Sequence, residues 1–239
     1  MGSNEGDSNE QPVHEVYLDA YYIDKYEVTN EQYAAYLNER LASGDIQASA
    51  TTVTKEENEL IDLDAETCQI SYIEGQFIVD SGKGNYPVIE VTWYGAKDFC
   101  EWAGGRLPTE AEWEKAARGT DDRKYPWGNT EPNSSHCNFN NNVGHTTPVG
   151  QYSPTGNSPY GCCDMAGNVW EWCSDWYDAE YYYNTPYNNP QGPSSGSYRI
   201  NRGGGWTNDS GYVLRCTYCN RNEPGVSSNV IGFRCVKDL

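Results

Sequence analysis

The chain has 239 residues and a formal net charge of −19, from 16 Lys and Arg against 35 Asp and Glu. So acidic a chain lacks the basic patch that nucleic-acid backbones and anionic membrane surfaces demand, which excludes both as expected partners. Hydrophobic residues make up only 37 %, but 20 Tyr and 8 Trp exclude wholesale disorder, because disordered chains are poor in aromatics.

Residues 1–12 open Met1-Gly2-Ser3-Asn4-Glu5-Gly6-Asp7. They are polar and acidic and read as a flexible leader or cloning remnant, with no secretory signal. Residues 13–24 alternate, with Val16, Leu18, Ala20 and Tyr22 on one face, and predict a half-buried strand. Thr29-Asn30-Glu31-Gln32 is a capping box that opens a helix carrying Tyr33, Tyr36, Leu37 and Leu41 on one stripe. Residues 43–66 are rich in Ser, Thr, Ala and Glu and read as an excursion. Ile70 to Val79 predicts a hairpin around Glu74-Gly75. A helix is expected from Trp93 to Ala103, stopped by Gly104-Gly105. A second capping box at Thr109–Glu112 opens another helix, whose Glu110, Glu112 and Glu114 read as solvated face charges. Beyond Gly119, Gly, Pro, Asn, Asp and Tyr dominate, predicting short strands between long ordered loops. No apolar run reaches the roughly 18 residues that cross a bilayer. The pattern is α+β, with helices early and strands and loops late.

The nine cysteines are an odd number, so at least one thiol stays unpaired unless chains cross-link. Cys216-x-x-Cys219 has redox or zinc spacing but no second pair to close a four-ligand site. Trp93, Trp102, Trp113, Trp170, Trp172 and Trp206 are expected mainly in the core.

A series of landmarks carries a family resemblance. They include Tyr22-Ile23-Asp24-Lys25-Tyr26-Glu27-Val28-Thr29-Asn30, Gly105-Arg106-Leu107-Pro108-Thr109-Glu110-Ala111-Glu112-Trp113-Glu114 and Pro126-Trp127-Gly128-Asn129. Gly167-Asn168-Val169-Trp170-Glu171-Trp172, Arg202-Gly203-Gly204-Gly205-Trp206 and Gly232-Phe233-Arg234 follow in order. Together they resemble the formylglycine-generating-enzyme, or sulfatase-modifying-factor, family. The resemblance implies one C-type-lectin-like α+β domain over residues 13–239, with two main helices, a divergent insertion at 43–84, and both termini in one sheet. It also implies a disulfide between Cys100 and Cys235. The reactive cysteines of those enzymes fall on Asn208 and Val213, neither of which can be a thiolate nucleophile or a copper ligand. On that ground the chain is expected to bind no copper and not to be an enzyme.

The C-terminal stretch also resembles the variable regions of diversity-generating retroelement proteins, which mutate AAC codons to NNC. Residues 207–230 contain no Lys, Gln, Met or Trp, none of which an NNC codon can encode, and their single Glu, Glu223, needs a different origin. Trp206, Leu214, Arg215, Pro224 and Ile231 punctuate the run as fixed residues. The candidate ligand-binding residues are Thr207, Asn208, Asp209, Gly211, Tyr212, Tyr218, Asn220, Asn222, Val226, Ser228 and Asn229. Rigid Tyr area with short polar side chains is the chemistry of a paratope.

The stretch Asp164-Met165-Ala166-Gly167-Asn168-Val169-Trp170-Glu171 matches the family's calcium loop, which implies a structural Ca2+ on Asp164, Gly167, Val169 and Glu171. The resulting expectation is a monomeric protein at the cell surface, as a lipoprotein, whose variable region binds an unknown protein or surface ligand. The alternatives are an oxidoreductase relative of the formylglycine-generating enzymes and a fixed-sequence binding module.

Overall fold

A computed structural model describes all 239 residues. Three helices form where the sequence pattern predicts them. In α1 (Asn30–Ser43), the Thr29 side chain accepts from the Gln32 amide while Gln32 reaches back to the Thr29 amide. In α2 (Trp93–Trp102), Thr92 caps Gly95, and α3 (Glu110–Arg118) repeats the capping box with Thr109 and Glu112. The strands are β1 (Tyr21–Ile23), β2 (Gln47–Ala48), β3 (Thr52–Lys55), β4 (Asn58–Asp62), β5 (Ile70–Ile73) and β6 (Gln76–Val79). The later ones are β7 (Trp170–Trp176), β8 (Arg199–Arg202), β9 (Cys219–Asn222), β10 (Ile231–Gly232) and β11 (Val236–Asp238).

The central sheet has the order β10-β7-β8-β9, with β10 parallel to β7 and the other pairs antiparallel. The two ends of the domain meet in a second sheet, where β1 pairs antiparallel with β11 from Tyr21↔Asp238 to Ile23↔Val236. The strand expected over 13–24 therefore shrinks to three residues. Only Tyr21–Ile23 faces the free edge of β11, whereas Tyr17 makes a lone bridge to Asn188. The hairpin β5–β6 turns at Glu74 and Gly75, both at positive φ, as a tight turn needs.

Two expected features are corrected by packing. The excursion at 43–66 is an ordered sheet, β2-β3-β4, whose Val53, Leu60 and Ile61 are buried in the main core. Residues 1–12 are not loose: Glu10 is fully buried and both its carboxylate oxygens bind Arg215, at 2.7 and 2.8 Å.

The main core gathers α1, α2 and the insertion against the central sheet. The rings of Tyr33, Tyr36, Phe99 and Phe233 meet edge to face or stacked. Three buried polar tips are satisfied: Tyr36 donates to Asp98, Trp172 to the Val91 carbonyl, and Trp93 to the Cys173 carbonyl. Cys100 and Cys235 are disulfide-bonded and tie α2 to the chain just before β11. Cys216 and Cys219 are not a redox pair but belong to a second core around Trp113, with Cys162 and Cys173. Burial pushes the Cys216 thiol up to about 12.

The α3 glutamates are the largest departure from expectation. Glu110, Glu112 and Glu114 are all buried. Glu114 meets the fully buried Arg202 at 2.8 Å, Glu112 is held by Arg106, and Arg202 also lies 3.4 Å from Glu110. Three more buried groups converge at the middle of the fold. Glu171 of β7 accepts two hydrogen bonds from Arg234, at 2.6 and 2.7 Å, and one from the Trp113 indole. Arg234 in turn donates to the carbonyls of Asp24, Lys25 and Cys163.

Two predictions follow from these buried charges. Glu171→Ala leaves the Arg234 guanidinium buried and unpaired and should cost about 3–5 kcal/mol in urea unfolding. Arg234→Ala should cost a similar amount, and the double variant well under the sum of the two, as expected for directly coupled partners. The second concerns Asp175, whose carboxyl is pushed up to about 7 by burial, with Glu110 adding to the rise. The folded state thus keeps a proton that the unfolded state gives up near 3.8. The stability contributed by the acid form is complete below that value and is lost as the pH rises through about 7. Asp175→Asn, which keeps an acceptor for the Glu110 amide, should match the wild type in thermal melts near pH 4. It should then gain on it steadily up to pH 7, by roughly 1.4 kcal/mol per unit.

Candidate ligand-binding surface

The surface begins where β8 ends. Gly204 sits at φ +79°, and a Cβ there would lie 2.5 Å from Leu214 Cδ2, so only glycine lets the chain pass beneath that side chain. The next residue closes the loop. The Trp206 amide donates to the Asn168 carbonyl and its indole to the Asn229 carbonyl at 3.0 Å, which brings the two ends of the 207–230 stretch together. Trp206 is half-buried rather than core.

None of the candidate residues is buried. Thr207, Asp209 and Tyr212 are exposed, and Asn208, Gly211, Tyr218, Asn220, Asn222, Val226, Ser228 and Asn229 are half-buried. Between them Leu214 and Arg215, read as fixed, are buried, and so are Cys216, Thr217 and Cys219, which places that part of the stretch in the core. Cys219 in particular packs under the sheet instead of pointing out. A short 3-10 turn, Gly211–Leu214, is capped by Ser210 and presents Tyr212 outward. The Tyr212 ring meets Tyr218 edge to face at 5.7 Å, and Tyr218 leans on Trp170. In β9, Asn220 and Asn222 share one side of the strand, while Arg221 on the other lies over Tyr177 at 4.2 Å. The 224–228 segment is fastened by its carbonyls, with Pro224 accepting from the Trp93 amide and Ser228 from the Glu90 amide.

Two candidates serve the scaffold as well as the surface. The Asn208 side chain accepts from the Gly205 amide at 2.7 Å, and the Asn222 side chain accepts from Asn201 at 2.8 Å. Val213, the other position matched to a reactive cysteine, is half-buried against both neighbouring cores. Sequence reasoning missed Asp7 and Glu10, which touch Tyr212 and Arg215 across 205 positions of chain. No local pattern could signal a contact at that separation.

Of the residues expected to hold calcium, Glu171 is already engaged with another partner. Asp164 and Glu171 both point into the buried centre, but the two Glu171 oxygens are taken by Arg234. Asp164 accepts from the Gly150 amide at 2.6 Å, and burial pushes its carboxyl up to about 6. The Gly167 and Val169 backbone lies in the same loop. Still, no three His, Cys, Asp or Glu side chains are grouped so that they could hold an ion. The guanidinium of Arg234 supplies the positive charge that a cation would otherwise bring.

The whole chain, residues 1–239, matches the sulfatase-modifying factor enzyme 1-like domain. The formylglycine-generating enzyme of Streptomyces coelicolor is 36 % identical, covering 96 % of this chain and 82 % of that enzyme. The serine/threonine-protein kinase pkn1 of Chlamydia caviae is 42 % identical over 100 % of this chain, which spans only 36 % of the kinase's length. Among solved structures, Treponema denticola variable protein 1 aligns with a TM-score of 0.76 at 27 % identity, over 100 % of this chain and 91 % of that one. The chain belongs to the sulfatase-modifying factor enzyme 1-like family, and its α+β fold is the C-type-lectin-like fold of that family and of the variable proteins. The expectation that it is not an enzyme is overturned by these relatives. It rested on two positions, Asn208 and Val213, whereas the likeness to a named enzyme runs through nearly the full length.

Proposed function

We propose that the chain is a ligand-binding domain whose contact face is built by residues 207–230 and diversified by a retroelement. The observation that carries this reading is the division within the stretch. Every candidate contact residue reaches solvent, while Leu214, Arg215 and Ile231 are buried and hold the backbone. A face that tolerates substitution must keep its variable side chains out of the core, because a buried unmatched polar group costs about 1–3 kcal/mol. The likeness to a treponemal variable protein supports the same reading. Tyr212 and Tyr218 supply rigid contact area, and Thr207, Asp209, Asn220 and Asn229 supply adaptable hydrogen bonding. The ligand is a protein or other surface molecule met by a monomer, and display at the cell surface as a lipoprotein goes with this role.

A second reading is favoured by the identity to the Streptomyces enzyme: generation of formylglycine by this chain. Mass spectrometry of a sulfatase-type cysteine peptide, incubated with the protein, copper and oxygen, tests it directly. Aldehyde formation would carry that reading.

The binding reading predicts that Thr207, Asp209, Asn220 and Asn229 can be randomised together. Folded display of the library should persist, with stability within about 1 kcal/mol of the parent. Collapse of folded display across the library would rule the reading out. Asn208 and Asn222 should tolerate change less well, since each loses a scaffold hydrogen bond.

A further inference from the structure

We propose that the N-terminal strap, residues 1–12, is a working part of the candidate binding face: Glu10 holds Arg215 beneath the ring of Tyr212, and Asp7 holds the Tyr212 hydroxyl. This rests on the reading of 207–230 as the contact face, and it names the residues that aim that face's exposed aromatic.

The geometry is a two-point grip. From below, the Arg215 guanidinium lies 3.9 Å from the centre of the Tyr212 ring and donates to the Tyr212 carbonyl at 2.8 Å. The guanidinium is itself fixed by both oxygens of the buried Glu10 and by the Thr217 hydroxyl. At the tip, the Tyr212 hydroxyl donates to Asp7 at 2.7 Å. Yet Tyr212 remains 41 % exposed, so the strap aims the ring without covering it.

The strap is shaped for this task. Its turn returns the Glu10 carboxylate to the Asp7 amide at 2.9 Å. At Gly6 a Cβ would fall 2.3 Å from that carboxylate, so the turn closes only around glycine. The other side of the strap is moored to α3: the Gly2 amide donates to Glu114 and Arg118 donates to the Gly2 carbonyl, both at 2.9 Å. The ring is thus braced against a core helix by way of residues outside the 207–230 stretch. A ring already fixed in one orientation loses less conformational freedom when a ligand meets it, which is how pre-organisation raises affinity. A side chain in a diversified loop can therefore change identity while its platform, Arg215 on Glu10, stays.

The rival explanation is that the strap merely anchors the chain end. The two differ in what happens at Tyr212. Hydrogen bonding to Asp7 raises the Tyr212 phenol above its ordinary value, while Arg215 opposes the rise. The test uses the full chain with 3-fluorotyrosine at position 212, followed by fluorine NMR across a pH titration and by amide hydrogen exchange. Asp7→Ala should bring the ionisation of residue 212 down toward that of free fluorotyrosine. Glu10→Gln should move the fluorine resonance toward its unfolded position and speed exchange of amides 212–217 by about tenfold or more, with α1 and α2 unaffected. If Glu10→Gln unfolds the whole domain, Asp7→Ala, at an exposed position, decides. An unchanged titration in Asp7→Ala would reduce the strap to an anchor and overturn the proposal. Neither readout uses a ligand, so a failure of the binding reading would leave these results standing and could be told apart from them.

Discussion

The Glu171–Arg234 pair is the interaction on which the rest of the structure depends. Both side chains are fully removed from solvent. Taking two charges out of water costs several kcal/mol each, and only near-complete hydrogen bonding offsets that loss. Here the offset is distributed. Glu171 serves Arg234 and the Trp113 indole, and Arg234 serves three carbonyls from the 24–25 and 163 loops. One ion pair therefore joins the central strand, the third helix, both ends of the chain and the loop before β7.

The other buried arginines repeat this device toward the surface. Arg202 sits between Glu110 and Glu114 and donates to the carbonyls of Cys216 and Thr217. Arg215 sits on Glu10. These arginines turn a Gly-, Asn- and Ser-rich stretch, poor in regular hydrogen bonding, into a fixed frame. A planar guanidinium with several donors can satisfy carbonyls from different loops at once, which a lysine cannot do. Each of the three buried arginines, Arg202, Arg215 and Arg234, is thus set against a buried carboxylate.

The same frame explains how one family architecture can carry different faces. Around Gly204 and Trp206 the backbone is set by close packing and by hydrogen bonds to main-chain carbonyls. Contacts of that kind do not depend on the side chains at Thr207, Asp209 or Asn229. The identity to a formylglycine-generating enzyme and the likeness to a variable protein are compatible for this reason, since the fold specifies the frame and the loops carry the chemistry.

Short-range features were legible in the sequence. The capping boxes at Thr29 and Thr109 and the hairpin at Glu74-Gly75 rest on contacts within a few residues of each other. The landmark motifs identified the family, and with it the fold and the Cys100–Cys235 bond. What the sequence could not display was the fate of charge. Glu110 and Glu114 look like any solvated helix face until Arg202 arrives from elsewhere in the chain. Glu10 looks like part of a loose leader until Arg215 meets it. Nor does the sequence show that Glu171 is met by Arg234, 63 positions away. Helix caps and turns are decided by neighbours in sequence, whereas the cost of burying an ionised group depends on which opposite charge the fold delivers to it. Tertiary structure alone makes that delivery.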